Sequence, residues 1–199
     1  MKQIADIVLN LTVVLNMILF TIMSFKRDGE WNIKNIKRAL KFFTYLSNVL
    51  LAVSSLLIIV FPQSFIAWMI KYTGTAAVSV TMITVLVFLG PTIGYKKVLA
   101  GRELWMHLLN PLIAIITFAI LERRSLSFLN SLFGMIPVIL YGTMYYYKVL
   151  VAKEEKRWDD FYGFNKGGKW YLAIFFMLAG TFAICMAFYF TGRIGFIVI

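Results

Sequence analysis

The chain has 199 residues, 61% of them hydrophobic and only 15% charged, with a mean hydropathy of +0.81. A soluble domain of this length has too little interior to hide so much apolar surface, so lipid is the solvent that accounts for it. Lys and Arg outnumber Asp and Glu by 20 to 9, but the excess lies in short segments between apolar runs, which points to membrane topology and anionic lipid rather than nucleic acid.

The expected fold is all-α: one polytopic transmembrane domain over residues 1–199, with six runs long enough to span about 30 Å of hydrocarbon. They lie at approximately 4–25, 40–61, 76–95, 103–121, 126–148 and 169–190. Merging the third with the fourth, or the fourth with the fifth, would bury charged residues in hydrocarbon, so six crossings are expected rather than five. The first run is longer than the apolar core of a signal peptide and is expected to remain as a span. The tail Thr191–Ile199 is apolar but too short to cross.

The positive charges predict an orientation. Residues 26–41 carry six Lys and Arg, residues 96–102 three and residues 148–169 six, whereas the opposite side has Lys2, Lys71, Arg123, Arg124 and Arg193. This bias places the first, third and fifth connections in the cytoplasm and both termini outside. The longest connection, Lys153–Lys169, mixes charges with Trp158, Phe161, Tyr162 and Phe164. Aromatic residues of this kind belong at headgroup level; a sharper alternative is a lid over a cytoplasmic opening.

Polar residues within spans are costly and are the place to look for function. In the fourth run Glu103, His107, Asn110, Ala114 and Thr117 recur at three- and four-residue spacing, one stripe along a helix. Pro111 removes the hydrogen bond to the His107 carbonyl, which predicts a kink at the only histidine. Glu103, one turn earlier, can accept from the imidazole and set its tautomer. The second run opens with Thr44, Ser47 and Asn48. Thr44 and His107 lie at similar depth from the same surface, the placement a hydroxyl nucleophile and its base require. Equally, Ser and Thr hydroxyls often bond their own helix, and a lone histidine often serves a packing network. In the fifth run Asn130, Gly134, Pro137, Tyr141 and Tyr145 share a face, and the Tyr145–Tyr147 triplet reads as an aromatic belt. Gly90 and Gly94 beside Pro91 read as a close-approach and kink device. Cys185 and His107 are the only residues of their types, so an internal disulfide, a histidine-cluster metal site and bis-histidine haem are excluded, and no cofactor is expected.

Phe43-Thr44 followed after two residues by Ser47-Asn48, His107 followed after three by Pro111, and Pro137 with Tyr141 together resemble a group of small six-helix bacterial membrane proteins of unknown function. That group is distantly similar to the androgen-induced and androgen-dependent membrane hydrolases, which cleave fatty-acid esters of hydroxy fatty acids with an intramembrane threonine and histidine. The resemblance covers approximately residues 40–165. It implies Thr44 as nucleophile, His107 as base, a membrane lipid or fatty-acyl ester as substrate and the bacterial cytoplasmic membrane as location. Ser47, Asn48, Glu103, Asn110, Tyr141 and Tyr145 are the candidate supporting residues, with Asn48, Asn110 or Ser47 as donors to a tetrahedral intermediate. The expected function is therefore an intramembrane lipid hydrolase or acyl-transfer enzyme. The alternative is a small-molecule or lipid transporter or binding protein without covalent chemistry, its cavity lined by the same stripe.

Overall fold

Hydrocarbon offers backbone N–H and C=O groups no water, so each crossing must close its hydrogen bonds within a helix. A computed structural model describes residues 1–27 and 30–194. Among them, six helices are long and apolar enough to cross a membrane: α1 (Lys2–Phe25), α2 (Phe43–Val60), α3 (Phe65–Ile93), α4 (Arg102–Leu121), α5 (Phe128–Val151) and α6 (Trp170–Arg193). The chain is an integral, polytopic membrane protein built as one all-α bundle. Between α1 and α2 the backbone pairs briefly, Lys26 with Trp31 and Arg27 with Glu30. A short surface helix, Ile33–Ala39, follows, its first turn capped by the Asn32 side chain. Of the tail Thr191–Ile199, expected to be too short to span, the first residues continue the last helix, which runs Trp170–Ile194; residues 195–199 lie outside the described residues.

Side chains are sorted as lipid requires. On α1, Ile4, Val8, Leu11, Leu15, Ile18 and Ile22 are exposed at alternating four- and three-residue spacing, a continuous apolar stripe for acyl chains. Inside, hydroxyls and amides are frequent: Asn10, Ser47, Asn48, Ser54, Ser55, Thr75, Ser79, Thr81, Asn110 and Thr117 are all buried. Lipid tails are as apolar as leucine, so helices associate through close approach and interhelical hydrogen bonds instead. The central element is α3, which touches α2, α4, α5 and α6 and buries Trp68, Lys71, Tyr72, Ala76 and Ala77 completely. It approaches α2 at Gly74, where an added Cβ would lie 2.9 Å from Ser54 Oγ and 3.1 Å from Leu51 Cα.

One boundary differs from the sequence expectation. The third span begins at Phe65, about three turns before residue 76. Ser64 supplies the start signal: its hydroxyl accepts from the Ala67 N–H at 3.2 Å. Lys71, expected in a connection, therefore sits inside α3 with no exposed surface. The isolated positive charge does not end the span because partners from other helices meet it there.

The prolines inside the spans rewind the helices locally. Before Pro91 the Gly90 N–H reaches back five residues to the Val85 carbonyl. Before Pro111 the Asn110 N–H does the same to Trp105. A proline cannot donate, and widening the preceding turn re-satisfies the carbonyls it leaves open.

Placing Val at Gly74 forces the α2–α3 contact apart. Overpacking of this kind costs about 1–3 kcal/mol, so Gly74→Val should lower the thermal midpoint in detergent, whereas Gly142→Ala, where a Cβ meets nothing within 4 Å, should leave it unchanged.

Candidate functional site

His107 rides on the wide turn before Pro111 and is 8% exposed; such turns recur at functional sites. Its Nδ1 lies 2.7 Å from the Val98 carbonyl. A carbonyl only accepts, so Nδ1 carries a proton and, in the neutral ring, Nε2 keeps a lone pair. The tautomer is thus set by the backbone of the connection before α4, not by Glu103 as the spacing suggested. Glu103 Oε2 stands 3.6 Å from Nε2, too far for a good hydrogen bond, and its Oε1 lies 3.4 Å from Arg102 Nε.

Three asparagines clasp α1, α2 and α4 together. Asn48 Nδ2 donates to the carbonyls of Thr44 (2.8 Å) and Met106 (3.0 Å), and its Oδ1 accepts from Asn110 Nδ2 at 3.0 Å. Asn110 Oδ1 accepts from Asn16 Nδ2 at 3.4 Å. Asn48 and Asn110 are fully buried. Both Asn48 amide hydrogens are committed to carbonyls, so it has none left for a reaction intermediate. What it does is tie the backbone of Thr44 to the residue preceding His107. Ser47 is similarly engaged, its Oγ 3.1 Å from the Thr44 carbonyl and 3.0 Å from Thr81 Oγ1. No hydrogen bond joins Thr44 to His107 among the described residues.

Thr44 lines a cavity of about 470 Å³ between the start of α2, the end of α3, α5, the connection after α5 and the start of α6. His107 does not line it. Its walls are mostly apolar, with Val85, Leu89, Val138, Ile139, Val149, Leu150, Ile174, Met177 and Leu178 among them. Thr73, Thr75, Thr117 and Thr143 bond their hydroxyls back to their own helix. The Thr44 hydroxyl has no such partner among the described residues, because it stands in the first turn of α2 with no helical carbonyl behind it. In that turn the Phe43 N–H donates to the Tyr162 hydroxyl (3.0 Å), and the Tyr45 and Leu46 N–H groups donate to the Phe42 carbonyl. The Thr44 N–H has no acceptor among the described residues, so hydroxyl and amide are open at the same residue.

The connection after α5 closes one end of this cavity. Asp160 gathers it: Oδ1 accepts from the Tyr145 hydroxyl (2.8 Å) and the Phe164 N–H (2.9 Å), and Oδ2 from the Asn165 N–H (2.8 Å). The Tyr162 N–H donates to the Tyr145 hydroxyl at 3.1 Å, and Tyr141 donates to the Lys41 carbonyl at 2.6 Å. Burial pushes the Tyr162 phenol above its ordinary pKa, which keeps it neutral beside the first turn of α2. Tyr162 and Phe164 line the cavity, and Phe161 packs on Phe42 and Tyr145 with ring centres 4.8 and 5.0 Å apart. Of the aromatics in this connection, Tyr162 and Phe164 face the cavity, while Trp158 and Phe161 do not line it. Gly163, at φ 68°, lets the chain reverse between Tyr162 and Phe164.

Tyr141 and Tyr145 are thus brought to the same cavity as Thr44, whereas Glu103, His107 and Asn110 group around the neighbouring turn of α4. Tyr162 is legible in the sequence only as one aromatic of this connection, and Asp160 is not singled out at all. Nothing in a charged, aromatic connection separates Asp160 from Asp159; only the three donors it collects do.

Truncating the clasp should be costly. Asn48→Ala leaves buried carbonyls of two helices and the Asn110 amide without partners, at about 1–3 kcal/mol for an orphaned group. Thermal unfolding in detergent should show a larger fall in midpoint for Asn48→Ala than for Thr44→Ala. No protein-family model, curated protein or solved structure matches the chain; by its own residues it is a small polytopic membrane protein built as a hydrophobic six-helix bundle.

Proposed function

We propose that the chain is an intramembrane lipid hydrolase or acyl-transfer enzyme, with Thr44 as nucleophile and His107 as base, acting on a fatty-acyl ester held in the cavity. The observation that carries this is Thr44 itself, a residue on the wall of an apolar cavity whose hydroxyl and amide both lack a partner among the described residues. A volume of about 470 Å³ falls within the range of small-ligand sites. The resemblance of the Thr44-to-Asn48 and His107-to-Pro111 motifs to bacterial relatives of membrane threonine hydrolases supports the same assignment, and with it a bacterial cytoplasmic membrane, basic connections in the cytoplasm and both termini outside.

In the reaction, Thr44 Oγ1 bonds to the acyl carbon while its proton passes to His107 Nε2. No hydrogen bond joins the two at rest, so a water carries the proton between them. The negative charge on the ester carbonyl oxygen is met by the Thr44 N–H, at the positive end of the α2 dipole. The acyl–oxygen bond then breaks, and the leaving alcohol takes the proton from His107, leaving acyl-Thr44. Water, or a second alcohol in transfer, attacks this ester with His107 again as base. The acid or new ester departs as Thr44 Oγ1 regains its proton. Tyr162 and Asp160 hold the first turn of α2 and the cavity floor in place throughout.

One observation favours a second reading, lipid binding without covalent chemistry. His107 is absent from the cavity wall, and its Nδ1 is committed to Val98.

The test uses the protein in nanodiscs with a long-chain fluorophosphonate and a fluorescent fatty-acyl ester. Thr44→Ala and His107→Gln should each abolish labelling and lower turnover by about 10²-fold or more, while both still bind the ester. Labelling that survives Thr44→Ala removes Thr44 as nucleophile. Ester bound but never turned over by the unaltered protein selects binding without chemistry. Gly142 lines the cavity with open space at its Cβ position, so Gly142→Phe should weaken ester binding about tenfold or more, the equivalent of 1.4 kcal/mol.

A further inference from the structure

At the end of the bundle opposite the cavity, α1, α2, α3 and the residue that caps α4, Glu122, meet around Lys71. Its Nζ donates to Asn10 Oδ1 (2.6 Å) and Ser55 Oγ (2.8 Å) and lies 3.9 Å from Glu122 Oε1. Asn10 is fully buried, and its Nδ2 donates both to Glu122 Oε1 (2.8 Å) and to Asp6 Oδ1 (3.0 Å). One amide group therefore bridges two carboxyls. The Glu122 side chain is only 4% exposed, and the Trp68 indole N–H takes its backbone carbonyl at 2.9 Å.

The charges here do not balance. One ammonium faces two carboxyls, leaving a net negative charge in an interior of low polarity, where an uncompensated charge is costly. Among the surrounding cations, Arg123 and Arg124 are engaged with the carbonyls of Thr191 and Pro62. Lys2, one turn before Asp6, attracts Asp6 but does so from an exposed position where water screens it, so the buried part of the cluster still has one ammonium for two carboxyls. The donors do not balance either. The Asn10 amide is shared between the two carboxyls, Lys71 is directed to Asn10 and Ser55, and Glu122 Oε2 is buried with no hydrogen-bond partner among the described residues. A buried acceptor without a donor is rare, and a proton on this pair supplies the missing donor and removes the excess charge together.

We propose that Asp6 and Glu122 form a proton-binding site that holds one shared proton at neutral pH, with Lys71 as its fixed counter-charge and Asn10 as the bridge. Asp6 is partly exposed near the start of α1, so it is the route by which the proton exchanges with the aqueous phase on that side. Burial pushes the Glu122 carboxyl above its ordinary value of 4.5, in keeping with a retained proton. This site is independent of the lipid chemistry at Thr44 and is the second ligand site of the bundle, its ligand being H⁺. A carboxyl that titrates higher folded than unfolded stabilises at low pH, and that contribution disappears as pH rises through its folded value. The thermal midpoint should therefore fall as pH rises above the ordinary carboxylate range, with Glu122→Gln insensitive over the same interval.

Infrared spectroscopy of the full chain in nanodiscs at pH 7 reads the proton directly. The unaltered protein should show one protonated carboxylic acid carbonyl band that shifts on transfer to D₂O. Glu122→Gln should remove the band. Asp6→Asn should remove it too, because a single Glu122 carboxylate then pairs with Lys71 as a simple ion pair. The absence of the band from the unaltered protein overturns the proposal, as does its survival in Glu122→Gln. Should Glu122→Gln not fold, Asp6→Asn decides: loss of the band supports a shared proton, and retention overturns the sharing.

Discussion

A polar group inside hydrocarbon must find its partner within the protein, and here that obligation is met by a seam of amides and hydroxyls between the helices. Asn16, Asn110 and Asn48 bond in series and end on the carbonyls of Thr44 and Met106. Ser47 joins Thr81, and Lys71 joins Asn10 and Ser55. Apolar contact with lipid does not discriminate one helix arrangement from another, since acyl chains cover any apolar face equally well. Hydrogen bonds of fixed length and direction do discriminate, so the seam sets the relative rotation and depth of α1 to α4.

The same seam orders the candidate site. Asn48, whose position in the sequence suggested a donor to a reaction intermediate, instead binds the first turn of α2 to the wide turn of α4. Its role is to hold the proposed nucleophile and base in neighbouring places. The start of α2 is in turn closed by the connection after α5, through the Tyr162 hydroxyl on the Phe43 N–H and through Asp160 on Tyr145. Thr44 is left as the one point in this turn where an uncommitted hydroxyl and an uncommitted amide occur together.

The two ends of the bundle contrast. Around Thr44 the interior is open, mostly apolar and closed at one end by aromatic rings. Around Lys71 it is closed, charged and filled. The first end holds a cavity of about 470 Å³; the second holds a side-chain network in which Lys71, Asn10 and Ser55 are buried.

The sequence by itself determined that the chain is a six-span helical membrane protein, because the length and apolarity of each run answer directly to the thickness of the bilayer. It also singled out Thr44, His107, Asn48 and Asn110, since polar residues stand out against apolar runs and helical spacing puts them on shared faces. It misplaced Lys71, because a charge reads as a break in a span unless its partners are known, and those partners, Asn10, Ser55 and Glu122, come from α1, α2 and the residue just past α4. It named Tyr162 only as one aromatic of a connection and did not single out Asp160, because their bonds, to the Phe43 N–H and to Tyr145, Phe164 and Asn165, follow no fixed spacing. Tertiary structure alone decided that Asn48 clasps, that Val98 sets the His107 tautomer and that Tyr141 and Tyr145 share a cavity with Thr44. The physical reason is common to all three: periodicity describes which face of a helix a residue occupies, but not which face of another helix it meets.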